Sequence, residues 1–141
     1  MTRLFCSLLV VATMAAPVHA SDGVNEADAA AIRAVIASQL DAFQRDDGNE
    51  AFGYASPAIQ QQFGTVEVFM EMVRIGYPAV YRAAHVDFQA PRTVGDFVIQ
   101  EVIVTGEDGA DWLAVYTMEQ QAGGAWRING CSLFAVPDVT I

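Results

Sequence analysis

The 141-residue chain contains no lysine, and cysteine and histidine occur only twice each. Seven arginines face 17 acidic residues, for a formal net charge of −10 at pH 7. A surface this acidic repels phosphate backbones and anionic lipid heads, so nucleic acid is not an expected partner. The sequence also lacks a glycine-rich phosphate loop, a nucleophile elbow, a zinc-ligand spacing and a dinucleotide fingerprint. No internal repeat, low-complexity tract or linker divides it.

Half of the scarce cysteine and histidine falls in the N-terminal segment. Arg3 precedes an apolar run from Leu4 to Ala16, which Pro17 breaks. Val18-His19-Ala20 then offers the compact residues that a signal peptidase reads. The run is too short to span a bilayer and has the length of a signal core. Cleavage is expected between Ala20 and Ser21, giving a signal peptide at 1–20 and one domain at 21–141, exported to the periplasm or secreted. Cys6 stands too early, and without the small neighbours, for lipid attachment. No membrane span is expected after signal removal.

The domain then keeps one cysteine, Cys131, and one histidine, His85. One thiol cannot close an internal disulfide. Cys131 is expected as a small buried hydrophobe. One His and one Cys do not make a metal site of the Cys/His type, and no cofactor is implied.

Hydrophobic spacing defines the first element. Ile32, Val35, Ile36, Leu40 and Phe43 recur at helical intervals, with Asn25 or Asp22 to cap the start and Asp46-Asp47-Gly48-Asn49 to stop it. Gln39 falls inside this apolar stripe. It can tie the helix to a neighbouring backbone or face an internal cavity, since ligand pockets use polar groups sparingly.

Punctuation dominates the next stretch, Ala51 to Tyr81. Glu50 to Ala55 reads as a short helix. Ser56-Pro57 restarts the chain, with Ser as cap and Pro in the first turn. Gly64 stops the piece from Ala58 to Phe63, Thr65 caps the piece from Val66 to Ile75, and Gly76 with Pro78 ends it. Glu67, Glu71 and Arg74 form its solvated stripe. The rest is apolar, which predicts a helix that is sandwiched or at a subunit contact. Tyr77 is expected to be extended before Pro78.

Beyond Tyr81 the period changes from 3.6 to 2. Ala84, Val86 and Phe88 alternate with His85, Asp87 and Gln89; further strands are expected at 97–105, 111–120 and 125–134. Helices followed by an antiparallel meander make an α+β fold: N-terminal helices packed on a curved antiparallel sheet of about four strands. The strand at 97–105 is apolar on both sides, so its far face is expected to be covered by the C-terminal tail or by a second copy, as in a homodimer.

The segments QLDAF (39–43), AFGYASPAIQQQFG (51–64), FMEMVRIGYPAVY (69–81) and WRINGCSL (126–133) resemble the bacterial domain-of-unknown-function family 4864, related to the nuclear-transport-factor-2-like superfamily. The resemblance implies a cone of helices over a bent sheet with a pocket between them. It implies no reaction, because that superfamily hosts enzymes, carriers and structural modules alike.

The pocket candidates are Gln39, Tyr77, Tyr81, Arg82 and Tyr116, with His85 and Asp87 as weaker acid–base candidates. Tyr77 and Tyr81 flank the helix-to-sheet junction, where a ring and a hydroxyl could line a pocket mouth. Arg82 could receive a carboxylate or join a surface ion pair. His85 and Asp87 share a strand face, but their apolar neighbours point them away from the helices. The favoured expectation is a non-enzymatic domain that binds a small apolar or amphipathic ligand or a protein partner. The alternatives are an isomerase- or dehydratase-type enzyme and a structural homodimer module.

Overall fold

A computed structural model describes residues 23–137. The expected signal segment and cleavage point, the alternative cap Asp22 and the end of the C-terminal tail lie outside the described residues. Five helices precede five strands: α1 (Glu26–Gln44), α2 (Gly48–Gly53), α3 (Pro57–Phe63), α4 (Val66–Gly76), α5 (Pro78–Tyr81), β1 (His85–Phe88), β2 (Arg92–Val94), β3 (Phe97–Thr105), β4 (Asp111–Gln120) and β5 (Trp126–Ala135). The order is that of an α+β domain.

The helix starts follow their caps. Asn25 accepts from the Asp28 N–H, Ser56 from Ile59 and Thr65 from Val68, each satisfying an orphan donor of a first turn. Gly64 ends α3 at φ 78°, a conformation that a residue with a Cβ avoids. Two boundaries differ from expectation. Asp47 caps α2, so Gly48 and Asn49 begin a helix rather than end one. Pro78 opens the extra turn α5, and Tyr77 sits at ψ 52°, short of an extended conformation. Proline lacks only a donor that a first turn leaves unused, so it can start a turn as readily as it ends one.

The sheet is antiparallel throughout, in the order β1-β3-β4-β5, with β2 also on β3. It has five strands where four were expected, because the edge beside β3 is made of two pieces. β1 pairs with 102–105 and β2 with 97–99. Pro91 cannot donate to a ladder, and it lies at the break. The Gln100 side chain fills the gap, donating to Gln89 O at 2.6 Å and Glu101 O at 2.9 Å. That explains how an amide sits 1% exposed among apolar neighbours.

The core lies between helices and sheet. α1 contributes Ile32, Ile36, Leu40 and Phe43; the sheet contributes Val102, Val104, Ala114, Tyr116 and Met118. The faces alternate as the strand period requires: in β3, Val98, Gln100, Val102 and Val104 are buried and the residues between them mostly half-buried. Val86 departs from the expected pattern. It is 39% exposed, because β1 lies at the sheet edge and the helices do not reach it. On α4, Phe69 and Val73 face the core, whereas Val68 and Ile75 are 52% and 66% exposed. No second layer within the described chain covers that side of α4.

Candidate functional site

Between the helices and the sheet lies a cavity of about 230 Å³. Gln39 and Phe43 enter it from α1, Ile59 and Phe63 from α3, Phe69, Met72 and Val73 from α4. Tyr77 and Val80 close the side by α5, and Tyr116, Ile128, Gly130 and Cys131 form the sheet wall. The helical walls exist because α2, α3 and α4 are short and separately capped. One long helix could not turn its apolar side inward three times.

Phe69 is the hub of the helical wall. Its ring lies 5.1 Å from Phe52, 5.8 Å from Phe63 and 6.2 Å from Phe43, in tilted or edge-on contacts that suit aromatic quadrupoles. The α2–α3 junction is pinned to the sheet. Ser56 N–H donates to Ile128 O at 2.8 Å, Ile128 N–H to Tyr54 O at 2.9 Å, and the Ser56 hydroxyl to Asn129 Oδ1 at 2.7 Å. These bonds meet β5 where its register with β4 shifts, between Thr117 and Met118. A bulge there bends the strand and increases its local twist. Ser56 was legible in the sequence as a cap. Its second role, with Asn129, carried no local signal.

The polar groups of the lining differ in what they have left to give. The Gln39 amide nitrogen donates to Ala51 O at 3.1 Å, tying α1 to α2. The Tyr77 hydroxyl donates to Cys131 O at 2.9 Å across the cavity. Tyr116 is 1% exposed and its hydroxyl oxygen has no hydrogen-bond partner. Its cross-strand neighbour is Cys131. The thiol lies within reach of the phenol but is a weak partner, so the hydroxyl has no strong hydrogen bond.

Burial governs the titration of this wall. It raises the Tyr116 phenol well above its ordinary range and pushes the Cys131 thiol up to about 12. It also raises Tyr77, with the Cys131 charge as a smaller cause. Desolvation opposes each anion, so all three are neutral at physiological pH. No Asp, Glu, His, Lys or Arg lines the cavity.

Of the residues singled out in the sequence, Gln39, Tyr77 and Tyr116 are brought together here. Tyr81 and Arg82 are not. They face outward and latch the end of α1. Arg82 donates to Phe43 O and to Tyr81 O, reaches both carboxylate oxygens of Asp46 at 2.9 and 3.0 Å, and lies 4.0 Å from the centre of the Tyr81 ring. The Tyr81 hydroxyl also donates to Asp46. Asp46 itself holds φ 52°, and the latch keeps it there. The hydrogen bond from Tyr81, then that from Arg82, lowers the Asp46 pKa. His85 and Asp87 are exposed on β1, on the sheet face turned from the helices. The residues that the sequence did not single out, above all Phe69, Cys131 and Ile128, are apolar or nearly so. Their role is visible only once the walls meet.

The chain matches the family described as Domain of unknown function (DUF4864) over residues 25–141. It belongs to that family. The DUF4864 match begins at the cap of α1 and spans every element of the fold, cavity walls included. No curated protein and no solved structure matches the chain. Among the described residues no group of His, Cys, Asp and Glu is placed to hold a metal ion, and no helix is long and apolar enough to cross a membrane.

Proposed function

We propose that this DUF4864 protein is an exported binding domain whose helix–sheet cavity takes one small apolar or amphipathic molecule. The observation that carries the reading is the cavity itself. Protein interiors close on themselves at crystal-like density, so an apolar recess that opens from the core to the surface is space the packing has left unfilled. An apolar void of roughly 150 Å³ already accepts benzene, and 230 Å³ has room for a substituted ring. It lies below the range of about 300–1,000 Å³ usual for drug-sized ligands, which points to a small occupant. Helices over a sheet with a pocket between them also accord with a relation to the nuclear-transport-factor-2-like cones.

The uncharged lining favours retention over turnover. An isomerase or dehydratase would need a carboxylate or imidazole against the substrate, and the lining supplies tyrosine, glutamine and cysteine instead. A second reading, a homodimer through the far sheet face, draws on one observation. Ile99, Ile103, Leu113 and Val115 are half-buried there, and Phe134 is 55% exposed beside them. Sedimentation as a monomer at micromolar concentration would remove that reading.

Ligand-observed NMR with small aromatic probes tests the cavity. Ile59→Trp, from the half-buried position on α3, should fill the mouth and abolish binding while the fold persists. Equal binding by both proteins would put the probe elsewhere and sink the proposal. Export has its own check: the mass of the protein recovered outside the cytoplasm should correspond to a chain starting at Ser21.

A further inference from the structure

We infer that the cavity selects a neutral, ring-sized molecule carrying one hydrogen-bond acceptor, a carbonyl or ether oxygen, which takes the proton of the Tyr116 hydroxyl. The inference rests on the cavity-binding reading and narrows it to a ligand class.

Three features of the wall lead there. The first is the free donor. Tyr77 gives its hydroxyl hydrogen to Cys131 O and Gln39 gives one of its two amide hydrogens to Ala51 O, while Gln62 is exposed on α3. Among the buried side-chain oxygens and nitrogens of the described residues, the Tyr116 hydroxyl alone has nothing better than the weak Cys131 thiol beside it. A core that needed only a ring at this position would be served by phenylalanine, and a buried hydroxyl left unpaired destabilises the fold. A ligand acceptor would relieve that loss.

The second feature is the absence of charge. No cation lines the cavity to receive a carboxylate or phosphate, and no carboxylate lines it to receive an ammonium. An ion entering would lose its hydration with nothing in return. Arg74 beside Val73, Arg82 near Val80 and Arg127 beside Ile128 all stay out of the lining, the first paired with Glu71 and the second with Asp46. The net charge of −10 further disfavours anions. Burial also keeps the Tyr116 phenol and the Cys131 thiol protonated, so the wall offers donors rather than an anion.

The third feature is shape. Phe43, Phe63, Phe69 and Tyr77 surround the space, and their faces suit a flat ring. Acetophenone, its isostere α-methylstyrene, benzoate and benzylammonium form a probe set that separates the terms. Their dissociation constants should be measured on the wild-type protein and on Tyr116→Phe by NMR titration. In the wild type, the ketone should bind on the order of tenfold tighter than the alkene, the worth of one buried donor satisfied. In Tyr116→Phe that ratio should fall to about one, with alkene binding retained. No ketone preference in the wild type, or an unchanged preference in the variant, overturns the inference. Benzoate or benzylammonium binding more tightly than the ketone also overturns it, while leaving the cavity reading intact. If none of the four enters, both readings fall. The wild-type comparison decides the matter independently of how the variant folds.

Discussion

Tyr77 and Tyr81 stand on either side of one short helix, yet they serve opposite environments. Tyr77 turns inward, crosses the cavity and donates to the backbone of β5. Tyr81 turns outward, stacks under Arg82 and donates to Asp46. α5 is a single turn, so residues four apart should share a face. They diverge because Tyr77 precedes the helix with a non-helical ψ of 52°. The inner region is apolar, uncharged and governed by desolvation. The outer one is ionic, exposed and governed by screened charge. What separates a pocket residue from a latch residue here is one backbone angle.

The largest effect expected from breaking this contrast comes from the inner region. Phe69→Ala removes the ring that meets Phe43, Phe52 and Phe63, and should destabilise the fold by about 3–5 kcal/mol in denaturant titration. Next is the latch. Arg82→Ala deletes the donor to Phe43 O and the stack on Tyr81, and should lose about 1–2 kcal/mol while probe binding in the cavity is unchanged. The pair with exposed Asp46 adds little to that figure. Arg82→Lys should restore only part, since an ammonium cannot reach the carbonyl and the carboxylate together.

A finer test sets two inner tyrosines against each other. Tyr77→Phe removes the hydroxyl donor to the Cys131 carbonyl and should cost about 1 kcal/mol, whereas Tyr116→Phe removes a poorly paired hydroxyl and should be neutral or stabilising by up to about 1 kcal/mol. Equal losses in the two variants would mean that Tyr116 has a strong partner after all.

The smallest effects are in pH. Cys131 has a folded pKa raised from 9.0 to about 12, so the folded state holds its proton longer than the unfolded state. The associated stability is complete below pH 9 and is lost as pH rises from there toward 12. Cys131→Ala should flatten the alkaline limb of the stability profile. At neutral pH an alkylating reagent should modify half-buried Cys131 more slowly than a free thiol, because its raised pKa leaves little thiolate. Asp46 runs the other way: its lowered pKa gives stability above its unfolded value that is lost on acidification. Asp46→Asn should remove that acid slope.

Much of the fold was open to reading because its signals are local. Caps at Asn25, Ser56 and Thr65, the stop at Gly64 and the alternation through β3 and β4 each arise within a few residues of where they act. The site was less legible. Gln39 stood out as an amide in an apolar stripe, and Tyr77 and Tyr116 by their hydroxyls. Arg82 drew notice as a cation without a local partner, and its partner Asp46 lies 36 positions away. β2 went unread because Arg92–Val94 is three exposed residues with no periodicity to detect.

Taken alone, the sequence determined most helix and strand starts and which of their faces are apolar, since backbone propensity, capping and periodicity are short-range. It also determined that the family is DUF4864, through the punctuated stretch from Ala51 to Tyr81. Only the tertiary structure decided that Tyr116 lacks a strong partner, that Tyr77 has one, and that Arg82 faces out. Those outcomes depend on the meeting of α1, α4, α5 and β5, and a hydrogen bond is made or missed over distances that no spacing along the chain can encode.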